Sequence, residues 1–64
     1  MYTVTFIRRD GQPDEIYYYN NLDEARYHFN LFVDDDSELY ERIELAQENR
    51  IMKMQIDVLN FEYQ

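Results

Sequence analysis

Three consecutive carboxylates, Asp34, Asp35 and Asp36, with Glu38 close behind, are the densest concentration of chemically able side chains in the sequence. Hard cations such as Ca²⁺ take several carboxylate oxygens at once. An EF-hand loop, however, needs glycine at its sixth position and glutamate at its twelfth, and counted from Asp34 those positions hold Leu39 and Leu45. The run therefore reads as a solvated connection that carries charge, and no metal is expected. A nucleophile and its base would have to be Ser37 and His28, the sole serine and the sole histidine, and a single glycine leaves no Gly-rich turn for an oxyanion hole or a phosphate loop. Paired carboxylates for glycoside chemistry are abundant, but they need a deep cleft that raises the pKa of one of them. His28 reads as a boundary residue. No catalytic residue and no cofactor is expected, and an enzyme would require a pocket joining His28 to a carboxylate.

Length and charge set the surroundings of these residues. A chain of 64 residues makes one domain, residues 1 to 64, and a chain this short buries only about 60% of its unfolded surface. Without cysteine, no disulfide or thiolate metal site can staple it, so packing must hold it together. The first residues enter an alternating pattern rather than a leader, and no apolar run approaches the roughly 20 residues of a membrane span. A soluble, cytoplasmic protein is expected. Apolar residues make up 45% of the chain and seven positions are tyrosine, which separates it from acidic disordered tails.

The net charge of −8 is placed unevenly. Residues 1 to 13 carry Arg8, Arg9 and Asp10, and residues 49 to 64 carry Arg50, Lys53, Asp57 and Glu62. Between them, residues 14 to 48 hold eleven acids against Arg26 and Arg42, a local net charge of −9.

The elements that position these groups follow from periodicity. Residues 2 to 8 alternate Tyr2, Val4 and Phe6 with Thr3, Thr5 and Ile7, as a half-buried strand does. Asp10-Gly11 and Pro13 mark a turn, and residues 15 to 19 form a second strand with Ile16 and Tyr18 assigned inward. Asn21 followed by Glu24 is a helix-capping pattern, and Asp23 and Glu24 suit the positive first turn. A helix is expected over residues 22 to 33, with Leu22, Ala25, Phe29, Phe32 and Val33 on one face and Tyr27 and Leu31 paired on the opposite one. Strands over 38 to 46 and 51 to 58 complete the chain, paired so that Leu45 faces Met52, Ile43 faces Met54 and Leu39 faces Val58, with Glu44 opposite Lys53 and Arg42 opposite Gln55. Glu41 falls on the apolar parity and is assigned to an edge strand, where an inward charge discourages aggregation. Beyond Val58 the parity drifts through Leu59, Phe61 and Tyr63. The expected fold is α+β: ββαββ, a four-stranded antiparallel sheet with one helix on one face. The expected core is Val4, Phe6, Ile16, Tyr18, Leu22, Ala25, Phe29, Phe32, Ile43, Leu45, Met52, Met54, Ile56 and Val58.

Two surfaces remain to be explained. Tyr27 and Leu31 lie among carboxylates, which suits an interface with an apolar centre and an acidic rim. The expected partner is a protein with a basic surface, contacted by Asp23, Glu24, Asp34, Asp35, Asp36, Glu38 and Glu41 for charge and by Tyr27 and Leu31 as anchors. A non-enzymatic inhibitor that occupies a nucleic-acid-binding surface follows from this. In charge and size the chain resembles the small anti-CRISPR and anti-restriction proteins of phages and mobile elements, some of which imitate DNA. Direct nucleic-acid binding is not expected, because base-stacking aromatic faces work in a positive field. The alternative is a homodimer or accessory subunit that associates through a tyrosine-rich open sheet face bearing Tyr17, Tyr19 and Tyr40.

Overall fold

A computed structural model describes residues 1–62, so Tyr63, where the drift in parity ends, lies outside the described residues. Four strands, β1 (Tyr2–Arg8), β2 (Glu15–Tyr19), β3 (Tyr40–Glu48) and β4 (Lys53–Asn60), and one helix, α1 (Leu22–Asn30), follow in the order β1-β2-α1-β3-β4. They form the expected α+β arrangement, a single sheet in the order β2-β1-β3-β4 in which every neighbouring pair is antiparallel. β2 and β3 consequently run in the same direction on either side of β1. A tight turn cannot join parallel strands, and α1 supplies the crossover. The helix packs over β1, β2 and β3, with β4 outside its footprint.

Local chemistry sets the connections. In the β1–β2 loop, Gly11 takes the left-handed φ of 78°. Beside it the Asp10 carboxylate accepts from the Gln12 N–H at 3.1 Å and from Arg8 at 2.7 Å, and these two bonds hold its carboxyl below the ordinary carboxylate range. Asn21 caps α1, its side-chain oxygen accepting from the Glu24 N–H at 2.8 Å. The helix stops at Asn30, short of the expected residue 33. From Phe32 the chain tightens into three-residue turns (Phe32 N–H to Phe29 C=O, Val33 N–H to Asn30 C=O), and Phe32 reaches the core edge-on to Phe6, 4.8 Å between ring centroids. Poor helix propensity and the unfavourable charge of Asp34, Asp35 and Asp36 at the negative end of the helix dipole account for the early stop.

Val4, Phe6, Ala25, Phe29, Ile43 and Leu45 are the buried centre of the core. The strands depart from expectation in three ways. Tyr2 pairs with Tyr19 and Val4 with Tyr17, so Tyr17 and Tyr19 share the helix side of the sheet, while Ile16 and Tyr18 face away from it, 48% and 59% exposed. A slip of one residue exchanges the two faces of a strand, and Ile16-Tyr17-Tyr18-Tyr19 has no polar residue to mark which face is which. The β3–β4 hairpin is also re-registered and both strands begin and end further along, with Glu48 opposite Lys53, Leu45 opposite Asp57 and Ile43 opposite Leu59. Asn49 causes this: its side-chain oxygen accepts from the N–H groups of Ile51 and Met52, both at 2.9 Å, and its own N–H donates to the Met52 carbonyl at 3.0 Å. The tight turn is thus 49–52, Met52 and Met54 are exposed, and Val58 lies opposite Glu44 rather than Leu39. A bulge at Ile56 lets Ile56 and Leu59 pack against the core in place of Met52, Met54 and Val58.

Glu41 is the third departure. β3 is an interior strand, not an edge, and the shift from Ile7↔Arg42 to Arg8↔Tyr40 leaves Glu41 as the extra residue of a bulge, exposed to solvent. The bulge absorbs the parity error without burying a charge.

Phe29→Ala, which opens a cavity beneath the sheet, is expected to cost about 3–5 kcal/mol in urea unfolding, whereas Met52→Ala changes stability by less than about 0.5 kcal/mol. Glu38 adopts the left-handed φ of 61°. Glu38→Gly relieves that strain and raises unfolding stability by up to about 1 kcal/mol in the same measurement.

Candidate functional site

On the flank of α1, an open groove of about 500 Å³ is lined by Tyr19, Asp23, Glu24, Tyr27, His28 and Leu31. The helical period assembles most of it: Glu24 and His28, and Tyr27 and Leu31, are spaced i, i+4, with Asp23 one turn before Tyr27. β2 contributes Tyr19 because its parity turns that ring toward the helix.

At the base of the groove, the Tyr19 hydroxyl and His28 Nδ1 lie 2.6 Å apart. A neutral imidazole with its proton on Nε2 accepts this bond from the phenol. His28 is also packed among rings, 4.9 Å from Tyr17 and 5.2 Å from Phe6 between centroids, and burial pushes its pKa below the ordinary histidine value. The walls are the opposite case: Tyr27 is 70% exposed and Leu31 61%. Asp23 and Glu24 bring two full negative charges, which outweigh the roughly +0.5 charge of the helix N-terminus.

Of the sequence-derived partner residues, Asp23, Glu24, Tyr27 and Leu31 come together in this groove. Asp34, Asp35, Asp36 and Glu38 lie on the connection that continues from it. There Ser37 donates to Asp35 at 2.6 Å, and Arg9 donates from its backbone N–H to the Leu39 carbonyl at 3.0 Å and from its guanidinium to the Glu38 carbonyl at 3.3 Å. Glu41 is set apart on β3, 3.9 Å from Arg42. Arg42 also reaches Glu44 at 3.3 Å, and Arg26 reaches Asp57 at 3.4 Å. Both arginines of the acidic segment therefore engage carboxylates away from the groove, and among the described residues Asp23, Glu24, Asp34 and Asp36 enter no ion pair.

Sequence reasoning missed Tyr19 and His28. The spacing of His28 from Glu24 was a usable signal, but the part played by Tyr19 depends on the strand parity. Tyr17, Tyr19 and Tyr40 do not form the open sheet face expected of them: Tyr17 and Tyr40 pack against Phe6 at 5.6 and 5.2 Å, and Tyr19 joins His28. The groove does bring His28 together with Asp23 and Glu24, the pocket that an enzyme would require, and of its two ring nitrogens Nδ1 lies against the Tyr19 hydroxyl. Among the described residues, no group of three His, Asp or Glu side chains is placed to hold a metal ion, and no helix is long and apolar enough to cross a membrane.

Fold and site together define a small α+β protein with an acidic, aromatic-walled groove on its helix. Comparison with protein-family models, with curated proteins and with solved structures finds no match.

The lowered pKa of His28 has a definite sign. The neutral form is favoured by folding, so its contribution is complete above the ordinary histidine value of about 6.5 and is lost as pH falls through the lowered folded value. Thermal melts are expected to show a falling melting temperature as pH drops from about 7 toward 5, and His28→Gln flattens that slope.

Proposed function

We propose that the protein is a small acidic, non-enzymatic binding module that occupies a basic surface on a partner protein. The convergence of Asp23, Glu24, Tyr27 and Leu31 in one groove, continuous with the carboxylates of residues 34 to 36, carries this reading. An apolar centre within an acidic rim matches a partner rich in lysine and arginine, and the charge speeds encounter and makes affinity fall with salt. A basic surface that normally holds DNA or RNA is the fitting target, with carboxylates standing in for phosphates. On this reading the protein is a cytoplasmic inhibitor of the anti-CRISPR or anti-restriction kind, encoded by a phage or another mobile element.

Binding rather than catalysis also suits the groove, because it is open to solvent and His28 is tied to Tyr19. Self-association through Tyr17, Tyr19 and Tyr40 suits these rings less well, since Tyr17 and Tyr40 pack against Phe6 and Tyr19 against His28.

The test is capture from a host lysate with the wild-type chain and with a variant carrying Asp34→Lys, Asp35→Lys and Asp36→Lys. The wild type is expected to retain a basic nucleic-acid-binding protein that high salt or added DNA releases, and the variant to lose it. Retention of the same protein by the variant would overturn the proposal.

A further inference from the structure

We infer that the groove between α1 and the end of β2 receives an arginine side chain of the partner, an assignment that rests on the binding role proposed above and names the group recognised. Four features point to this occupant. The groove carries Asp23 and Glu24, and among the described residues no lysine or arginine lines it, Arg26 being turned to Asp57. Its aromatic surfaces, Tyr19 and Tyr27, offer the negative ring faces that attract a cation, most often a guanidinium. Leu31 supplies an apolar strip for the methylene stem of a long basic side chain. Finally, burial disfavours the charged form of the imidazole at the base, whose Nδ1 lies against the Tyr19 hydroxyl, and so reduces the charge that would oppose entry.

Arginine fits better than the other candidates for physical reasons. Its guanidinium is planar and weakly hydrated, so it stacks on a tyrosine ring while its forked donors reach a carboxylate. A lysine ammonium is a compact, strongly hydrated point charge that gains less from the rings. An apolar side chain would fill the volume but would displace water from Asp23 and Glu24 without replacing its hydrogen bonds. A nucleic-acid phosphate is repelled by the same two carboxylates. The volume of about 500 Å³ falls within the range of small ligand sites.

The experiment is an amide NMR titration of the intact chain with N-acetyl-arginine amide, N-acetyl-lysine amide and N-acetyl-norleucine amide at constant ionic strength. The arginine probe is expected to give saturable shifts centred on Tyr19 and residues 23 to 31, with weaker binding by the lysine probe and none by norleucine. Tyr27→Ala, at an exposed position, weakens arginine binding about two- to fivefold. The pair Asp23→Asn and Glu24→Gln weakens it by at least as much, and Asp34→Asn with Asp35→Asn and Asp36→Asn leaves it within about twofold. Shifts spread evenly over every acidic segment, lysine binding as tight as arginine binding, or norleucine binding of similar strength would each overturn the assignment. If the arginine probe fails while the lysine reversals at 34 to 36 still abolish partner capture, the groove assignment falls and the broader binding role stands. If the arginine probe binds as expected but the wild-type chain captures no basic protein, the groove's preference for arginine stands, and both the proposed role and the partner as source of that arginine fall.

Discussion

One short helix has to cover one face of a four-stranded sheet, and the rest of the structure depends on that mismatch. Nine residues of α-helix are about 13 Å long, whereas the Cα trace is a slab of 37 × 22 × 14 Å. Aromatic rings make up the difference. Phe6 on the central strand sits within 4.8–5.6 Å of the rings of Tyr17, His28, Phe32 and Tyr40, a collar that widens the apolar cover beyond the helix. β2 must therefore direct its Tyr17 and Tyr19 face inward, and the seam between that strand and the helix flank becomes the groove. At the other end of β3, around the β3–β4 turn, Ile51, Met52 and Met54 are left in solvent.

The same constraint explains what was legible beforehand and what was not. Element order, the Asn21 cap, the turn at Gly11 and the burial of Val4 and Phe6 are local patterns and are found as expected, whereas the alternation itself is not, since Thr3 and Thr5 on the other parity are buried as well. The helix-borne part of the groove was also legible, because side chains three and four residues apart share a flank whatever the helix packs against. Register was not. Both parities of β2 are apolar, so only the need for rings around Phe6 decides between them. In the β3–β4 hairpin, a pairing that looked satisfactory on both faces lost to a turn closed by Asn49 and to a bulge that brings in Ile56. Two bulges, at Glu41 and Ile56, shift the parity in mid-strand, and strict alternation has no means of showing this.

Charge follows the packing. The sheet carries local ion pairs of Arg42 with Glu41 and Glu44, and Arg26 ties the helix to β4 through Asp57. Exposed pairs of this kind contribute about 0–1 kcal/mol each, so their larger effect is on distribution: they withdraw the positive charge of the segment toward the sheet and leave the groove flank of the helix acidic, with Asp23 and Glu24 as its carboxylates. A chain with the same composition and its arginines on that flank would have the same net charge and no such field.

The position of β1 between β2 and β3 also bears on how the chain is made. Of the four strands, the first in sequence is an interior one, and one of its two hydrogen-bonding edges has no partner until residues 40 to 48 follow. Until then, the β1–β2 hairpin is a two-stranded ribbon with Val4 and Phe6 uncovered and an open edge, a state that isolated hairpins do not hold stably in water. Folding of the sheet thus waits for β3 and is close to all-or-none. A chain interrupted before β3 presents a sticky strand edge instead of a smaller working version of the protein.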